Sequence, residues 1–387
     1  MNGTVTASAP KVRRRTWFIV VLVAVVVVVG ASIYVVVLDE EARSSPSAPG
    51  ASETVILPSS GTSSGCITGT PGVARPVFNL NYGVLQGNTY DVPSGTVGHV
   101  GMCYDASTGA MFAYANWSHV GGTGYAWMSY PQVTYGANFW YGPYSTLTGQ
   151  NPAWNLPLSV RSVVQGDVWF TTQYSLNAPP VHDVDGYDLS LDDFFMENWP
   201  SYFEVGPFVE VEMFLAHNIS YPFEWVHWST PTLVDGTLMS VPWDVAWWCH
   251  GPDNGTNANV SFDFSFDGQD TTGLSTATLG LNLSAILGEV EALMPSVTCW
   301  TGPTTGFSSF LLEEANLGSE DGALGGSTFN YNWTVDQYCI HTIAGGPTAP
   351  ELSCSSGSLS SKGPRDSVGP MDAARQSDSL VLRPRPE

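Results

Sequence analysis

Apolar and polar residues alternate with a period of two through much of the chain, in short runs bounded by glycine, proline, asparagine or aspartate. Typical runs are VGHVGMCYD, AMFAYANWSHV, GDVWFTTQYSL, FVEVEMFLAH, NVSFDFSFDG and STFNYNWTVDQYCIHT. This spacing is typical of β-strands, whose successive side chains point to opposite faces. One run differs, LNLSAILGEVEALMP, where the apolar residues recur at helical spacing and Pro295 closes the run. The pattern predicts an all-β fold, a β-sandwich that carries one packed α-helix.

The run GPFVEVEMFLAHN, residues 206–218, carries two glutamates among its apolar residues. With a period of two, Glu210, Glu212 and Phe214 share one face of a strand, and the valines at 209 and 211 share the other. An antiparallel strand commonly has one solvated face, so an ordinary wet side explains this pattern. A cleft lined with reactive carboxylates is the alternative.

The longest apolar run is TWFIVVLVAVVVVVGASIYVVVL, residues 16–38, which carries no charge. As a helix it spans roughly 34 Å at about 1.5 Å per residue, enough to cross a bilayer. Basic residues precede it and acidic residues follow it, so we expect residues 1–15 in the cytoplasm and the remainder outside. A cleaved signal peptide is the alternative, although its apolar region is typically only about 7 to 15 residues long. We therefore expect a single-pass transmembrane protein with an extracellular body, secreted if the anchor is cleaved.

Small and polar residues dominate two further segments. Such segments have too little apolar surface to offset the entropy of ordering. We expect a flexible linker at 39–65 and a disordered tail at 343–387. The body between them, 66–342, suits one large β-sandwich domain.

Charge is distributed very unevenly. The chain has 35 acidic and 12 basic residues, a formal net charge of −23, and between Arg75 and Lys362 the one lysine or arginine is Arg161. Nucleic-acid binding needs clustered basic side chains, so that class of partner is excluded. Repulsion among carboxylates weakens when they bind protons, and we expect a protein adapted to acidic surroundings.

The six cysteines all follow the predicted membrane helix. An even count in an oxidising compartment predicts disulfides. Chain order alone suggests that Cys66 pairs with Cys103 and Cys249 with Cys299. Neither the cysteines nor the histidines show the spacing of metal ligands, so we expect no metal.

Aromatic residues are abundant, with 14 Trp, 16 Tyr and 17 Phe. Most fit a core, but Trp and Tyr in a cleft also stack on sugar rings. Glycoside hydrolysis usually needs two carboxyl groups, one on each side of the scissile bond. Neighbours on one face of one strand point in parallel and cannot flank a sugar, so Glu210 needs a partner from elsewhere. The candidates are Glu289, Glu291, Glu313, Glu314 and Glu320.

Five segments resemble, in the same order, motifs of glycoside hydrolase family 12, the jelly-roll endoglucanases and xyloglucanases. WSHVGGTGYAWMSYPQV resembles the family's W-S-W-x-G-G followed by V-K-S-Y-P-N, and GDVWF resembles its Y-D-I-W-L strand. EVEMFL resembles its E-L-M-I-W-L, and FLLEEANLGSEDG resembles its Y-L-x-x-I-Q-x-G-T/S-E. FNYNWTVDQYCI resembles the closing strand. The resemblance implies a jelly roll with a concave substrate groove.

The resemblance also implies catalytic roles. Glu210 would be the nucleophile, Glu320 the acid/base, and Asp167 the carboxylate that holds the nucleophile. Glu212 stands where the family usually has Met and would modulate Glu210 through like charge. The side chains expected to bind substrate are Glu212, Tyr90, Trp117, Trp169 and Phe214, with Tyr90 replacing a stacking tryptophan.

The implied function is a retaining endo-β-1,4-glucanase without cofactor, acting as a monomer on β-1,4 or mixed-linkage glucan at acidic pH. A long segment, NAPPVHDVDGYDLSLDDFFMENWPSYFEV, departs from the family and is expected to form a cleft-rimming loop. A non-catalytic, lectin-like carbohydrate-binding sandwich is the alternative function. An acid protease is disfavoured, because no Asp-Thr/Ser-Gly pair occurs.

Overall fold

The structure is a computed structural model. In the part of the chain that it describes, the runs with a period of two form β-strands. The described residues are 53–57, 63–72, 77–80, 83–136, 156–176, 185–196, 208–217, 226–250, 259–265, 276–297, 300, 306–312, 314–343, 352 and 354. Neither α-helix in this part is long and apolar enough to cross a bilayer. The predicted membrane helix at 16–38 lies outside the described residues.

The described residues form nineteen strands and two α-helices. The strands are β1 Glu53–Leu57, β2 Gly65–Gly69, β3 Val77–Asn79, β4 Val84–Thr89, β5 Val97–Tyr104, β6 Met111–His119, β7 Tyr125–Gly136, β8 Leu158–Ser159, β9 Val168–Leu176, β10 Asp185–Met196, β11 Phe208–His217, β12 Val226–Val234, β13 Thr237–His250, β14 Asn259–Ser265, β15 Thr276–Asn282, β16 Leu311–Leu312, β17 Glu314–Gly318, β18 Asp321–Leu324 and β19 Phe329–Thr342. The helices are α1 Val160–Gly166 and α2 Leu283–Leu293, and two 3-10 turns follow at Met294–Ser296 and Phe307–Ser309. The predicted all-β fold and the helix α2 are confirmed, whereas the short α1 was not predicted.

The strands form two layers. What we call the inner sheet pairs in the order β3–β4–β7–β17–β10–β11–β14–β13, and the outer sheet in the order β2–β5–β6–β19–β9–β15–β12. The long strand β13 pairs first with β12 and then with β14, which joins the two sheets. Across the core, the Tyr174 hydroxyl donates to the Leu215 carbonyl at 2.8 Å, and the rings of Tyr187 and Tyr331 stack at 4.6 Å. The protein is therefore a β-sandwich.

The face assignment within β11 is confirmed. Val209, Val211 and Met213 are fully buried in the core between the sheets. Glu210 and Glu212, on the opposite face, are half-buried. We call this second face of the inner sheet the cleft face.

The disulfides agree in part with the pairing suggested by chain order. Cys66 and Cys103 are bridged, as predicted, and join β2 to β5. A second bridge, which was not predicted, joins Cys339 of β19 to Cys354. Cys249 is disulfide-bonded, and its predicted partner Cys299 lies outside the described residues.

Two predicted domain boundaries are wrong. The linker at 39–65 contains a strand, β1, because its Thr-Val-Ile run favours extended structure and pairs antiparallel with β19. The predicted tail begins inside the fold, since Leu352 is fully buried and Cys354 is bridged to β19.

The predicted cleft-rimming loop is also wrong where the structure describes it. Residues 185–196 form β10, which pairs antiparallel with β11 at the centre of the inner sheet. Leu189, Leu191 and Phe195 pack into the core, whereas Asp188 and Asp192 lie on the cleft face. Aspartate is depleted in strands, and here Asp188 and Asp192 occupy the polar side of one. The rest of the predicted loop lies outside the described residues.

Candidate active site

Strand pairing brings several carboxyl groups of the cleft face together. In β11, Glu212 lies opposite Asp192 of β10 and beside Asp263 of the parallel strand β14. One alternation away, Glu210 lies beside Ser261 of β14, whose hydroxyl donates a hydrogen bond to Glu210 Oε2. β11 thus presents its two glutamates between polar residues of both neighbouring strands.

Glu320 lies in the short connection between β17 and β18 and is held at its backbone by Asp188. The Glu320 amide donates to Asp188 Oδ1 at 2.9 Å, and the Asp188 amide donates to the Glu320 carbonyl at 3.1 Å. This reciprocal pair fixes the backbone that carries the Glu320 side chain.

Tyr90 holds the Glu320 carboxyl group itself. It directly follows β4, and its amide donates to the Met128 carbonyl at 2.9 Å. Its hydroxyl donates a hydrogen bond to Glu320 Oε1. Both ends of Glu320 are therefore anchored, the backbone by β10 and the carboxyl group by the end of β4.

Ser190 connects the two halves of the cluster. Its hydroxyl oxygen lies 2.9 Å from Glu212 Oε1 and 3.3 Å from Asp188 Oδ1. The Tyr130 hydroxyl lies 3.3 Å from this Ser190 oxygen. Glu212 is thereby linked through Ser190 to Asp188, the residue that holds Glu320.

We call the group of cleft-face carboxyls the carboxyl cluster. Its members are Asp188, Asp192, Glu210, Glu212, Asp263 and Glu320. Among the described residues the one lysine or arginine is Arg161, on helix α1, where its charge acts on Glu291 of α2. Among the described residues, therefore, no lysine or arginine balances the cluster, and the basic side chain opposite Asp188 in the sheet is His217.

Burial and like charge both favour protons on five members of this cluster. Burial raises the pKa of Glu320 to about 7, and the charge of Glu210 adds to the rise while the Tyr90 hydrogen bond opposes it. Burial also raises the pKa of Glu212 well above its usual range, with Asp188 as the largest neighbouring charge. The pKa values of three further members rise in the same way, first through burial and then through neighbouring carboxylates; these are Asp188, Asp192 and Asp263. Such perturbed groups are typical of catalytic sites.

The arrangement separates two chemical roles. Glu320 can carry a proton near neutral pH and donate it, as a general acid requires. Glu210 faces the same cluster and accepts a hydrogen bond from a neutral hydroxyl, a setting suited to a carboxylate nucleophile.

The structure does not place Asp167 with these groups. Asp167 caps the C-terminus of α1 in a left-handed conformation, before β9 of the outer sheet. Its Oδ1 accepts a hydrogen bond from the Trp169 indole at 3.1 Å. The aspartate beside Glu320 is Asp188, and the sequence did contain a signal for it. YDLSL at 187–191 has both the Tyr and the Asp of the Y-D-I-W-L motif, whereas GDVWF has only the Asp.

The aromatic residues expected to bind substrate lie elsewhere than predicted. Trp117 is fully buried in the core from β6 of the outer sheet. Trp169 is buried against Leu233 and Leu352. Neither indole presents a surface to a sugar. Phe214 does lie on the face of Glu210 and Glu212, but it is fully buried, with its ring 5.3 Å from that of His217.

Sequence reasoning missed Ser190, Tyr130, Ser261 and Asp263 as neighbours of the glutamates. Ser190 had a detectable signal, because it alternates with Asp188 in a strand-like run. Ser261 and Asp263 also alternate with apolar residues in the run NVSFDFSFDG, but no local signal shows that their strand pairs in parallel with β11 across an intervening hairpin.

One group of side chains in the described part of the chain has the spacing of a metal site, namely Cys339, His341 and Cys354. The two cysteines are bridged to each other, so they offer no thiolate to a metal ion.

No protein-family model matches this sequence, and no curated protein matches it. Solved structures with a similar fold include a thermostable cellulase derived from that of Rhodothermus marinus, with 15% identity, a TM-score of 0.43, and 72% of this chain and 100% of that chain covered. They include the family 12 xyloglucanase of Bacillus licheniformis in complex with ligand, with 13% identity, a TM-score of 0.47, and 71% and 98% covered. They also include the family 11 xylanase of Neocallimastix patriciarum, with 12% identity, a TM-score of 0.42, and 72% and 100% covered. All three TM-scores are below 0.5.

Proposed function

We propose that this protein is a retaining, endo-acting glycoside hydrolase that cleaves β-1,4 or mixed-linkage glucan at acidic pH. The observation that supports the proposal most directly is the raised pKa of Glu320, about 7, which results from burial and from the charge of Glu210. Retaining glycoside hydrolases use one protonated carboxyl group as the acid and a second carboxyl group as the nucleophile. The motifs EVEMFL and FLLEEANLGSEDG, two of the five that occur in the family's order, support the same pair.

In the first step, Glu320 donates its proton to the glycosidic oxygen as the bond between that oxygen and the anomeric carbon breaks. The Glu210 carboxylate forms a bond to the same carbon on the opposite side, giving a glycosyl-enzyme. In the second step, Glu320, now a carboxylate, takes a proton from water. The water oxygen replaces Glu210 at the anomeric carbon, and the configuration is retained.

The surrounding residues position this pair. Asp188 and Tyr90 fix Glu320 at its backbone and its carboxyl group, and Ser261 orients Glu210. Glu212 serves as a modulator, and burial and the neighbouring carboxylates favour its neutral form by raising its pKa. Asp188 takes the supporting role that the resemblance gave to Asp167.

We also propose that residues 16–38 anchor the enzyme in the membrane with its catalytic domain outside, as a monomer. The length of the apolar run and the basic residues before it support this topology. Protease treatment of intact cells tests it, because the domain would be accessible only if it lies outside.

The test of function is reducing-sugar release from barley β-glucan and carboxymethylcellulose by the full-length protein at pH 3 to 7. Glu210→Gln and Glu320→Gln are each expected to lower the rate by orders of magnitude. Glu289→Gln, on helix α2 away from the cleft face, is the matched control and keeps parental activity. Glucan binding without release at any pH would overturn the proposal in favour of a lectin-like protein.

A further inference from the structure

Two aromatic side chains lie together at the start of β7, close to Glu320. Tyr125 is 46% exposed and Trp127 is half-buried, and their rings meet edge to face at 5.4 Å. In the sheet, Trp127 pairs with Gly322 of β18, and Gly322 pairs in turn with Gly186 of β10. Both aromatic residues are therefore on β7, and β18 lies beside them between β7 and β10.

Glycine occupies both positions beneath the rings. A Cβ atom at Gly322 would lie 2.7 Å from Trp127 Cε3 and 2.7 Å from the Tyr125 hydroxyl. A Cβ atom at Gly186 would collide with the Tyr125 hydroxyl and lie 3.3 Å from Trp127 Cη2. Because any larger residue would displace the rings, the two glycines let them cover the backbone of β18 and β10.

The rings lie on the cleft face. Side chains alternate along a strand, so Gly186 shares its face with Asp188, and Gly322 shares its face with Glu320. Two residues along a strand span about 7 Å, which sets the aromatic pair one step beyond Glu320.

The position of the aromatic pair relative to Glu320 and Glu210 follows from the order of residues along β10. Glu210 and Glu212 lie opposite Phe194 and Asp192, towards the end of the strand, whereas Gly186 is at its beginning. Asp188, which holds Glu320, lies between them. The aromatic pair is therefore on the Glu320 side of the reacting carboxyls and away from Glu210.

We propose that Tyr125 and Trp127 form a binding subsite for a pyranose ring on the leaving-group side of the scissile bond. The inference rests on the proposed function, because Glu320 protonates the leaving oxygen and the leaving sugar lies beyond it. Pyranose rings with equatorial hydroxyls present flat faces of C–H groups, which pack against aromatic rings, while the phenol hydroxyl and the indole N–H can hydrogen-bond to sugar hydroxyls. The occupant is the next sugar unit of a β-linked glucan chain.

Binding is measured by titration calorimetry with cellotetraose on full-length Glu320→Gln protein, which does not turn the sugar over. Adding Trp127→Ala or Tyr125→Ala is expected to weaken binding about tenfold, as truncation of a central aromatic contact does. Trp127→Tyr keeps an aromatic face and is expected to restore most of the affinity.

The matched control is Tyr114→Ala. Tyr114 is a half-buried tyrosine whose hydroxyl also lies against a glycine, Gly101, but on the outer sheet. It is expected to leave the affinity for cellotetraose unchanged. Far-UV circular dichroism and the melting temperature identify any variant that has failed to fold, and the more exposed Tyr125→Ala then carries the test.

The second measurement is the rate of hydrolysis by full-length protein in which Glu320 is intact. Trp127→Ala is expected to lower kcat/KM for β-glucan more than for an aryl cellobioside, whose leaving group is no sugar. Equal losses on both substrates, or unchanged cellotetraose affinity in both alanine variants, would overturn the subsite. If no glucan is hydrolysed but cellotetraose still binds through Trp127, the proposed function fails and the sugar site stands.

Discussion

The Tyr90 hydroxyl donates its hydrogen bond to Glu320 Oε1 from a position 230 residues earlier in the chain. Burial and the charge of Glu320 raise the pKa of Tyr90 well above its usual value, so the phenol keeps its proton and stays a donor. The bond favours the charged form of Glu320 and so opposes the effect of burial on its pKa. One hydroxyl group thus limits how strongly the candidate acid holds its proton.

Tyr90→Phe removes that hydroxyl and keeps the ring. We expect the pKa of Glu320 to rise, and the alkaline limb of the pH profile of kcat/KM to move up by about one pH unit. The rate at the optimum is expected to fall, since the carboxyl group loses its anchor. Tyr114→Phe, which removes a phenol hydroxyl bonded to Thr68 on the outer sheet, is the control and keeps the parental profile. An unshifted limb in Tyr90→Phe would contradict the role given to this bond.

Stability is expected to fall as pH rises. Groups with a raised folded pKa bind more protons in the folded state, so their contribution is complete below the unfolded value, near 4.5 for Glu320, and is lost as pH rises through about 7. The buried carboxyls Asp188 and Glu212 act in the same direction. We expect a melting temperature several degrees higher at pH 4.5 than at pH 8, measured by scanning calorimetry.

Glu212→Gln is expected to flatten that dependence, because it removes one titrating group without a large change in shape. Asp105 is the contrast, since hydrogen bonds from Ser107 and Thr108 lower its pKa and its contribution has the opposite sign. Asp105→Asn should therefore not flatten the curve. A melting temperature that rises between pH 4.5 and 8 would refute the prediction.

Substitutions at Asp188 and Asp167 test which of the two aspartates supports the catalytic glutamates. Asp188→Ala leaves the Glu320 amide without its acceptor, and we expect a loss of about 1 to 3 kcal/mol of stability. Asp188→Asn still offers an oxygen to that amide and should recover most of the stability. kcat is expected to fall further in Asp188→Ala than in Asp167→Asn, as measured on β-glucan. A larger loss in Asp167→Asn would restore the assignment made from the sequence motif.

Ser261→Ala removes the hydroxyl that donates to Glu210. Because that bond orients the candidate nucleophile, we expect formation of the glycosyl-enzyme to slow about tenfold, which corresponds to about 1.4 kcal/mol. The burst of nitrophenol from a nitrophenyl cellobioside measures this step. Ser261→Thr keeps a hydroxyl and is the companion variant. Equal bursts in the alanine variant and the parent would exclude Ser261 from positioning Glu210.

The sequence could predict β11 well and β10 poorly, for related physical reasons. In β11 the valines, Met213 and Leu215 alternate with glutamates, so the period of two is clear. In β10 the alternating polar residues are Asp188, Ser190 and Asp192. Aspartate is depleted in strands, and Asp193 interrupts the alternation. Asp193 is buried and accepts a hydrogen bond from the Asn316 amide at 3.1 Å, a long-range contact with no local signature.

Only the site residues that lie within the family-like motifs could be predicted from the sequence. Glu210 and Glu320 came from motifs, whereas the partners that define their chemistry come from distant strands. Asp188 precedes Glu320 by 132 positions, and Ser261 follows Glu210 by 51. Trp117 matched a motif but its side chain faces the core, because a motif locates a residue in a strand and cannot say which face is wet.

The carboxyl cluster has no lysine or arginine beside it in the described part of the chain, so protons do most to neutralise it. A lysine or arginine would be supplied by the fold at a fixed stoichiometry, but protons are supplied by the medium. The charge stored along β10, β11 and β14 is consequently a property of the surroundings as much as of the protein. The groove would be nearly neutral in acid, and it would become anionic as the pH rises through the raised pKa values of the cluster.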